Sequence, residues 1–250
     1  MDFARSALDV LLGFVFGAVG GLFGIGGGLI AIPVLGVFYG FDQQHAQGTA
    51  MVMVAPNVFI GLYQYRKRSG LDMRLAAILA LSGIAFMYIG ARIATHVPST
   101  PLRIGFATFQ LALFASTLLP RREPRDEPRK ARWPRSAAYP IGVLGGLISG
   151  IFGVGGAIFA VPLFTTFFGM TQAAAQGLGL AMVAPGTIVT IAEYALAHDV
   201  NWSVGIPLAL GGVFSVPAGV ALAHRLPDRV LRTLFGLVLL GSAVALYLRA

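Results

Sequence analysis

Displaced by 129 residues, the chain lies over itself without a gap: between 21–106 and 150–235, 28 of 86 positions are identical. Gly21-Leu22-Phe23-Gly24-Ile25-Gly26-Gly27-Gly28 falls on Gly150-Ile151-Phe152-Gly153-Val154-Gly155-Gly156-Ala157. Pro33, Gly40, Gln43 and Gln47 fall on Pro162, Gly169, Gln172 and Gln176, and Met53-Val54-Ala55-Pro56 falls on Met182-Val183-Ala184-Pro185. Tyr65 meets Tyr194, Pro98 meets Pro227, and Leu102-Arg103 meets Leu231-Arg232. Two unrelated apolar stretches would not keep glycine, proline, glutamine and arginine in register, so the chain is an internal duplication.

The repeated material is membrane material. Of 250 residues 56% are hydrophobic and 11% charged, against about a quarter charged in soluble domains. Apolar stretches at 7–40, 46–65, 74–95 and 101–119, then 136–169, 175–197, 203–223 and 229–248, are near or above the roughly 20 residues that span a bilayer as a helix. This predicts an all-α polytopic membrane protein with two tandem repeats, 1–119 and 136–250, of about four hydrophobic segments each. The lipid bilayer is its first partner. The linker 120–135 is rich in proline, arginine and acid and reads as a solvated connector. Its arginines, with Arg66, Lys67, Arg68 and Arg74, account for the net charge of +8. Basic residues gathered in connectors follow the positive-inside bias, which puts the linker in the cytoplasm and argues against nucleic acid as a partner.

The first stretch of each half has an awkward length. Residues 7–40 would make a helix of about 51 Å, too long for one upright crossing and too short for two. Gly24-Ile25-Gly26-Gly27-Gly28 interrupts it where helix propensity is poorest, and Pro33, tolerated in a first helical turn, follows. The expected element is two half-helices, about 7–22 and 28–40, joined by a glycine turn within the membrane. If it crosses, the chain has eight spans and the halves share one orientation. If it re-enters, each half crosses three times and the repeats are inverted, the reading that its length and the lack of basic residues in 198–203 favour. Such broken elements mark binding sites in secondary transporters, and the free N–H groups opening the second half-helix suit an anion. Gly24, Gly26, Gly27 and Gly28 with Gly153, Gly155 and Gly156 are therefore substrate-site candidates. Close helix packing through small residues is the competing explanation.

Gln47 and Gln176 offer amide donors to an anion, or serve equally well as contacts between helices; Thr49 and Asn57 add donors in the first half, where the second has Leu178 and Gly186. Tyr65 and Tyr194 read as interfacial belt residues. Glu193 is a candidate for carrying a coupling proton; the alternative is that it reaches the headgroups. Arg103 and Arg232 are expected to snorkel, and the four histidines sit at stretch ends without forming a ligand cluster. There is no cysteine and no enzyme motif, and nothing calls for a metal or cofactor. No feature specifies an oligomeric state.

The doubled Gly-x-Phe-Gly-x-Gly-Gly-Gly/Ala segment followed by proline, with Gln47-Gly48-Thr49, resembles the TauE/SafE sulfite exporter family over roughly 8–248. The resemblance implies a bacterial inner-membrane permease for sulfite, organosulfonates or similar small anions. Ala157 and Leu178 depart from the pattern. The leading expectation is a secondary transporter for a small sulfur-containing anion, binding at a midplane site built from both glycine turns. The alternatives are an anion channel, a permease for other cargo, or a membrane scaffold docking through 120–135.

Overall fold

The computed structural model describes residues 3–118, 137–154 and 157–249; the linker 120–135, Gly155 and Gly156 fall outside the described residues. Ten helices run in the order α1 (Phe3–Phe23), α2 (Gly28–Tyr39), α3 (Gln43–Ser69), α4 (Met73–His96) and α5 (Ser99–Leu118), then α6 (Ala138–Phe152), α7 (Ala157–Phe167), α8 (Gln172–Leu196), α9 (Trp202–Ala223) and α10 (Asp228–Tyr247). No strand occurs among the described residues. Five of the helices are long and apolar enough to cross a membrane: those at 4–23, 73–96, 172–196, 202–223 and 229–247.

Helix starts are set by side-chain caps that satisfy the first N–H groups. Asp42 accepts from His45 N–H at 2.8 Å, and Asp72 from Arg74 and Leu75 at 3.0 and 3.2 Å. In the second half Thr171 caps Ala174 and Asn201 caps Val204. These are repeat-equivalent positions, so the capping role is kept while the residue changes. Gly40 and Gly169, also equivalent, take the positive φ that ends α2 and follows α7.

The path of each half follows from its contacts. A methyl on Gly27 would touch the Phe16 carbonyl, and at the far end of α2 the Tyr39 hydroxyl donates to Asp9. The chain therefore doubles back after α1, and α2 returns to the face where α1 began, here the amino face. Helices α3, α4 and α5 then traverse the bundle three times and end at the opposite, linker face.

The second half runs the other way. Tyr194, near the end of α8, bonds Gln47 near the start of α3, while Tyr65 near the end of α3 bonds Gln176 near the start of α8. Equivalent helices α3 and α8 are thus antiparallel, and the halves are inverted. Pro56 and Pro185 lie midway between these paired contacts and mark the pseudo-twofold centre.

Small residues bring the halves together at backbone distance. Along α1, Gly13, Gly17 and Gly21 face Leu208, Gly212 and Val216 of α9 so closely that an added methyl would lie 2.1–2.5 Å from α9 atoms. Gly146 and Gly150 of α6 approach Gly83 and Met87 of α4 in the same way. Each first helix therefore packs parallel to the fourth helix of the other half.

Two details differ from the sequence expectation. Helix α1 is no half-helix. Its 21 residues reach nearly to the linker face, where Tyr65 approaches the Gly21 carbonyl; only α2, with 12 residues and a length of about 18 Å, is half-length. The apolar count began at residue 7, whereas the helix begins four residues earlier. Pro33 lies in the second turn of α2, not the first. Its ring withholds the N–H that would bond the Leu29 carbonyl, and the Ser242 hydroxyl of α10 donates to that carbonyl instead, at 3.0 Å.

Candidate functional site

The first turn is built from conformations that favour glycine. Gly24, Gly26 and Gly27 have φ of +67°, +73° and +96°, a region that strains residues with a Cβ. Ile25 between them is buried, and its N–H bonds the Gly20 carbonyl at 2.9 Å. Ile30 and Ala31 bond back to the Gly27 carbonyl. Among the described residues the amides of Gly28 and Leu29 have no backbone acceptor, as expected at an open helix N-terminus. Asn57 fixes the turn from α3, its amide donating to the Gly26 carbonyl at 3.1 Å.

The second turn starts alike. Gly153 has φ +63° and its N–H bonds the Ser149 carbonyl at 3.0 Å. The two turns are neighbours: a methyl on Gly28 would lie 3.0 Å from the Gly153 carbonyl oxygen.

Each turn rests on the glutamine of the other half. Gly24 packs against the Gln176 side chain and Gly153 against that of Gln47. Each glutamine is held in turn by a tyrosine of the opposite repeat. Tyr65 donates to Gln176 Oε1 and Tyr194 to Gln47 Oε1, both at 2.7 Å. The tyrosines are not belt residues. Both are fully buried, and fixing the glutamine oxygen leaves each amide NH₂ as the available end. Gln47 is 0% exposed and its Nε2 has no partner. Two further buried groups are unpartnered: Ser149 Oγ, one helical turn before Gly153, and, on α8, Thr190 Oγ1, one turn before Tyr194. Buried donors without acceptors are rare in folded proteins.

The remaining candidates are not gathered there. Thr49 Oγ1 accepts from Asn201 N–H at 3.0 Å, holding the α8–α9 connection at the amino face. Glu193 is buried and accepts from Arg92 at 2.9 Å; the arginine is 59% exposed. Arg103 donates to the Arg249 carbonyl at the end of α10. His45 does join a cluster, contrary to the sequence reading: its Nδ1 is 3.1 Å from Asp199 and 3.5 Å from Asp42. Burial pushes the Asp199 carboxyl above the ordinary carboxylate range, Asp42 adds to this, and His45 and His198 oppose it.

Sequence reasoning passed over Asp9. It is 2% exposed, bonded by Tyr39, and lines a cavity of about 340 Å³ at the amino face with Arg5, Ser6, Phe41, Asn201, Ser203 and Val204. An acid six residues into an apolar helix was the available signal.

Antiparallel α3 and α8, with the two glycine turns side by side, form the kind of arrangement that recurs in membrane proteins built from inverted repeats. Comparison with known proteins agrees and narrows it: the family described as sulfite exporter TauE/SafE matches residues 10–246, and the chain belongs to that family. A probable membrane transporter protein of Xylella fastidiosa strain Temecula1 is 29% identical over 242 residues, covering 94% of this chain and 90% of the relative. Probable membrane transporter proteins of Methanocaldococcus jannaschii and Bacillus subtilis are 23% and 22% identical, covering 93% and 92% of this chain and 91% and 93% of theirs. The chain is a multi-pass membrane transporter.

Proposed function

We propose that the transported species is a small sulfur-containing oxyanion of the sulfite or organosulfonate type, bound between the two glycine turns. The observation that carries this reading is the set of donors beside the turns: the open amides at the start of α2, the partnerless Gln47 Nε2 packed against Gly153, and the Ser149 hydroxyl one helical turn before Gly153. All are neutral, and the positive end of the α2 dipole adds to them. A neutral donor set binds an anion without the ion pair that would slow its release. The rocking of one half against the other around the turns would open the site alternately to the two faces, with 120–135 cytoplasmic.

Flux of sulfite and sulfoacetate into proteoliposomes tests this, using Gly26→Leu and Gly155→Leu. Both variants should lose flux while remaining folded; normal flux in both would overturn the site. Counterflow, in which internal substrate accelerates uptake of label, separates a carrier from a channel. Retained flux after shortening 120–135 would speak against a scaffold.

A further inference from the structure

We propose that Asp9 is the proton-binding carboxylate of transport, taking up and releasing its proton through the amino-face cavity. This rests on the transporter reading above and adds the coupling ion and the residue that carries it. An ionisable side chain inside a membrane helix is costly and is retained where it has a task. Among the described residues two buried carboxylates qualify, Asp9 and Glu193. Glu193 is already paired with the exposed guanidinium of Arg92, at 2.9 Å. Asp9 is answered by a neutral phenol, Tyr39, and it opens on a cavity.

The duplication supplies the control. If the Asp9–Tyr39 bond merely closed the α1–α2 hairpin, the second hairpin would need its equivalent. The equivalent positions hold Ala138 and Phe168, both buried and neither able to make such a bond. The second half has no polar pair at these positions. The acid is therefore specific to one mouth of the pathway, as a proton site facing one compartment has to be.

The surroundings are few. Arg5, one turn earlier on α1, lies over the Tyr39 ring at 5.8 Å, and Tyr39 is the titratable group facing Asp9 from α2. From the α8–α9 side the cavity is lined by Asn201 and Ser203, which do not titrate. The His45, Asp42 and Asp199 group lies beyond Phe41 and is paired within itself. An ionised Asp9 accepts the Tyr39 hydroxyl and ties the two arms of the hairpin at their open ends. Binding of one proton turns the carboxylate into a carboxylic acid, a weaker acceptor, and frees the arms whose apex is the glycine turn. The proton leaves by the same carboxylate, so the cycle needs no other reactant.

The test compares two modes of sulfite movement in proteoliposomes. Sulfite exchange at equal pH reads the anion site alone; accumulation driven by a pH gradient reads coupling. Asp9→Asn should keep exchange and lose gradient-driven accumulation, whereas Glu193→Gln should keep both. Tyr39→Phe should shift the pH profile of accumulation without abolishing it. Accumulation surviving in Asp9→Asn would overturn the proposal, as would loss of exchange in an Asp9→Asn protein of wild-type thermal stability. Absence of exchange in the wild type would instead remove the sulfite reading. Infrared difference spectra between acid and neutral pH then decide for Asp9 independently of any anion: a protonated-carboxyl band absent from Asp9→Asn supports the site, and an unchanged band refutes it.

Discussion

Gly219 and Gly241 are both helical glycines of the second half, yet replacing each with alanine should move stability in opposite directions. At Gly219 of α9 the new methyl would sit 2.0 Å from the Ala18 carbonyl oxygen and 2.9 Å from Leu22 N, both backbone atoms of α1. Heavy-atom contacts to carbon settle near about 3.5 Å, so the helices must part by roughly 1 Å or more. That movement also loosens the Gly13–Leu208 and Gly211–Val10 contacts of the same seam. Overpacking of this kind costs about 1–3 kcal/mol, and a rigid backbone neighbour puts it near the upper end. Alanine returns about 1 kcal/mol of helix propensity, leaving a net loss of about 2 kcal/mol. At Gly241 of α10 nothing lies within 4 Å of the added methyl, so the propensity gain of up to about 1 kcal/mol stands alone. Unfolding in detergent, followed by loss of helical circular dichroism against temperature or added dodecyl sulfate, reads both variants. A Gly219→Ala protein as stable as the wild type, or two variants shifting in the same direction, would refute the close-packed seam between the halves.

Tyr65→Phe and Tyr194→Phe each strip the donor from a buried glutamine oxygen and should cost about 1 kcal/mol apiece. The sites lie near opposite faces, so the double variant should show the sum; unfolding of the three variants checks this. Arg92→Ala leaves Glu193 buried without its partner and should lower the unfolding temperature, whereas Glu193→Gln should lower it less because Arg92 is exposed; equal losses would contradict the asymmetry. Because Asp199 titrates above its unfolded value, its neutral form is the one folding favours. That contribution is present below the unfolded value of about 3.9 and is lost as pH rises through the folded one. Asp199→Asn should therefore be more stable than the wild type at neutral pH, with the difference vanishing below about pH 4, as thermal unfolding across pH would show.

Much of the architecture was legible from residue order. The register of glycines and prolines showed the duplication, and the awkward length of 7–40 marked a segment that could either cross or re-enter; it is the bond from Tyr39 back to Asp9 that brings α2 alongside the start of α1. Local patterns could not reach what depends on partners far along the chain. Tyr65 and Tyr194 sit where belt tyrosines sit, and only their contacts 111 and 147 residues away turn them into supports for the glutamines. Asp9 stands close enough to the start of its helix to pass as a headgroup residue until Tyr39 closes over it. The His45 cluster escaped for the same reason, since Asp199 arrives from the other half.

The inverted arrangement has a consequence for how such a chain came about. Within one half the hairpin adds no net passage and α3 to α5 add three, an odd number. A second copy joined directly to the first must then start on the opposite face and insert upside down. An unduplicated ancestor able to form the same crossed tyrosine–glutamine pairs would have had to enter the membrane in both orientations and meet itself as an antiparallel dimer. Joining the halves in one chain fixes their relative orientation. It also lets each half differ from its twin, and an acid and a phenol stand at one mouth where alanine and phenylalanine stand at the other.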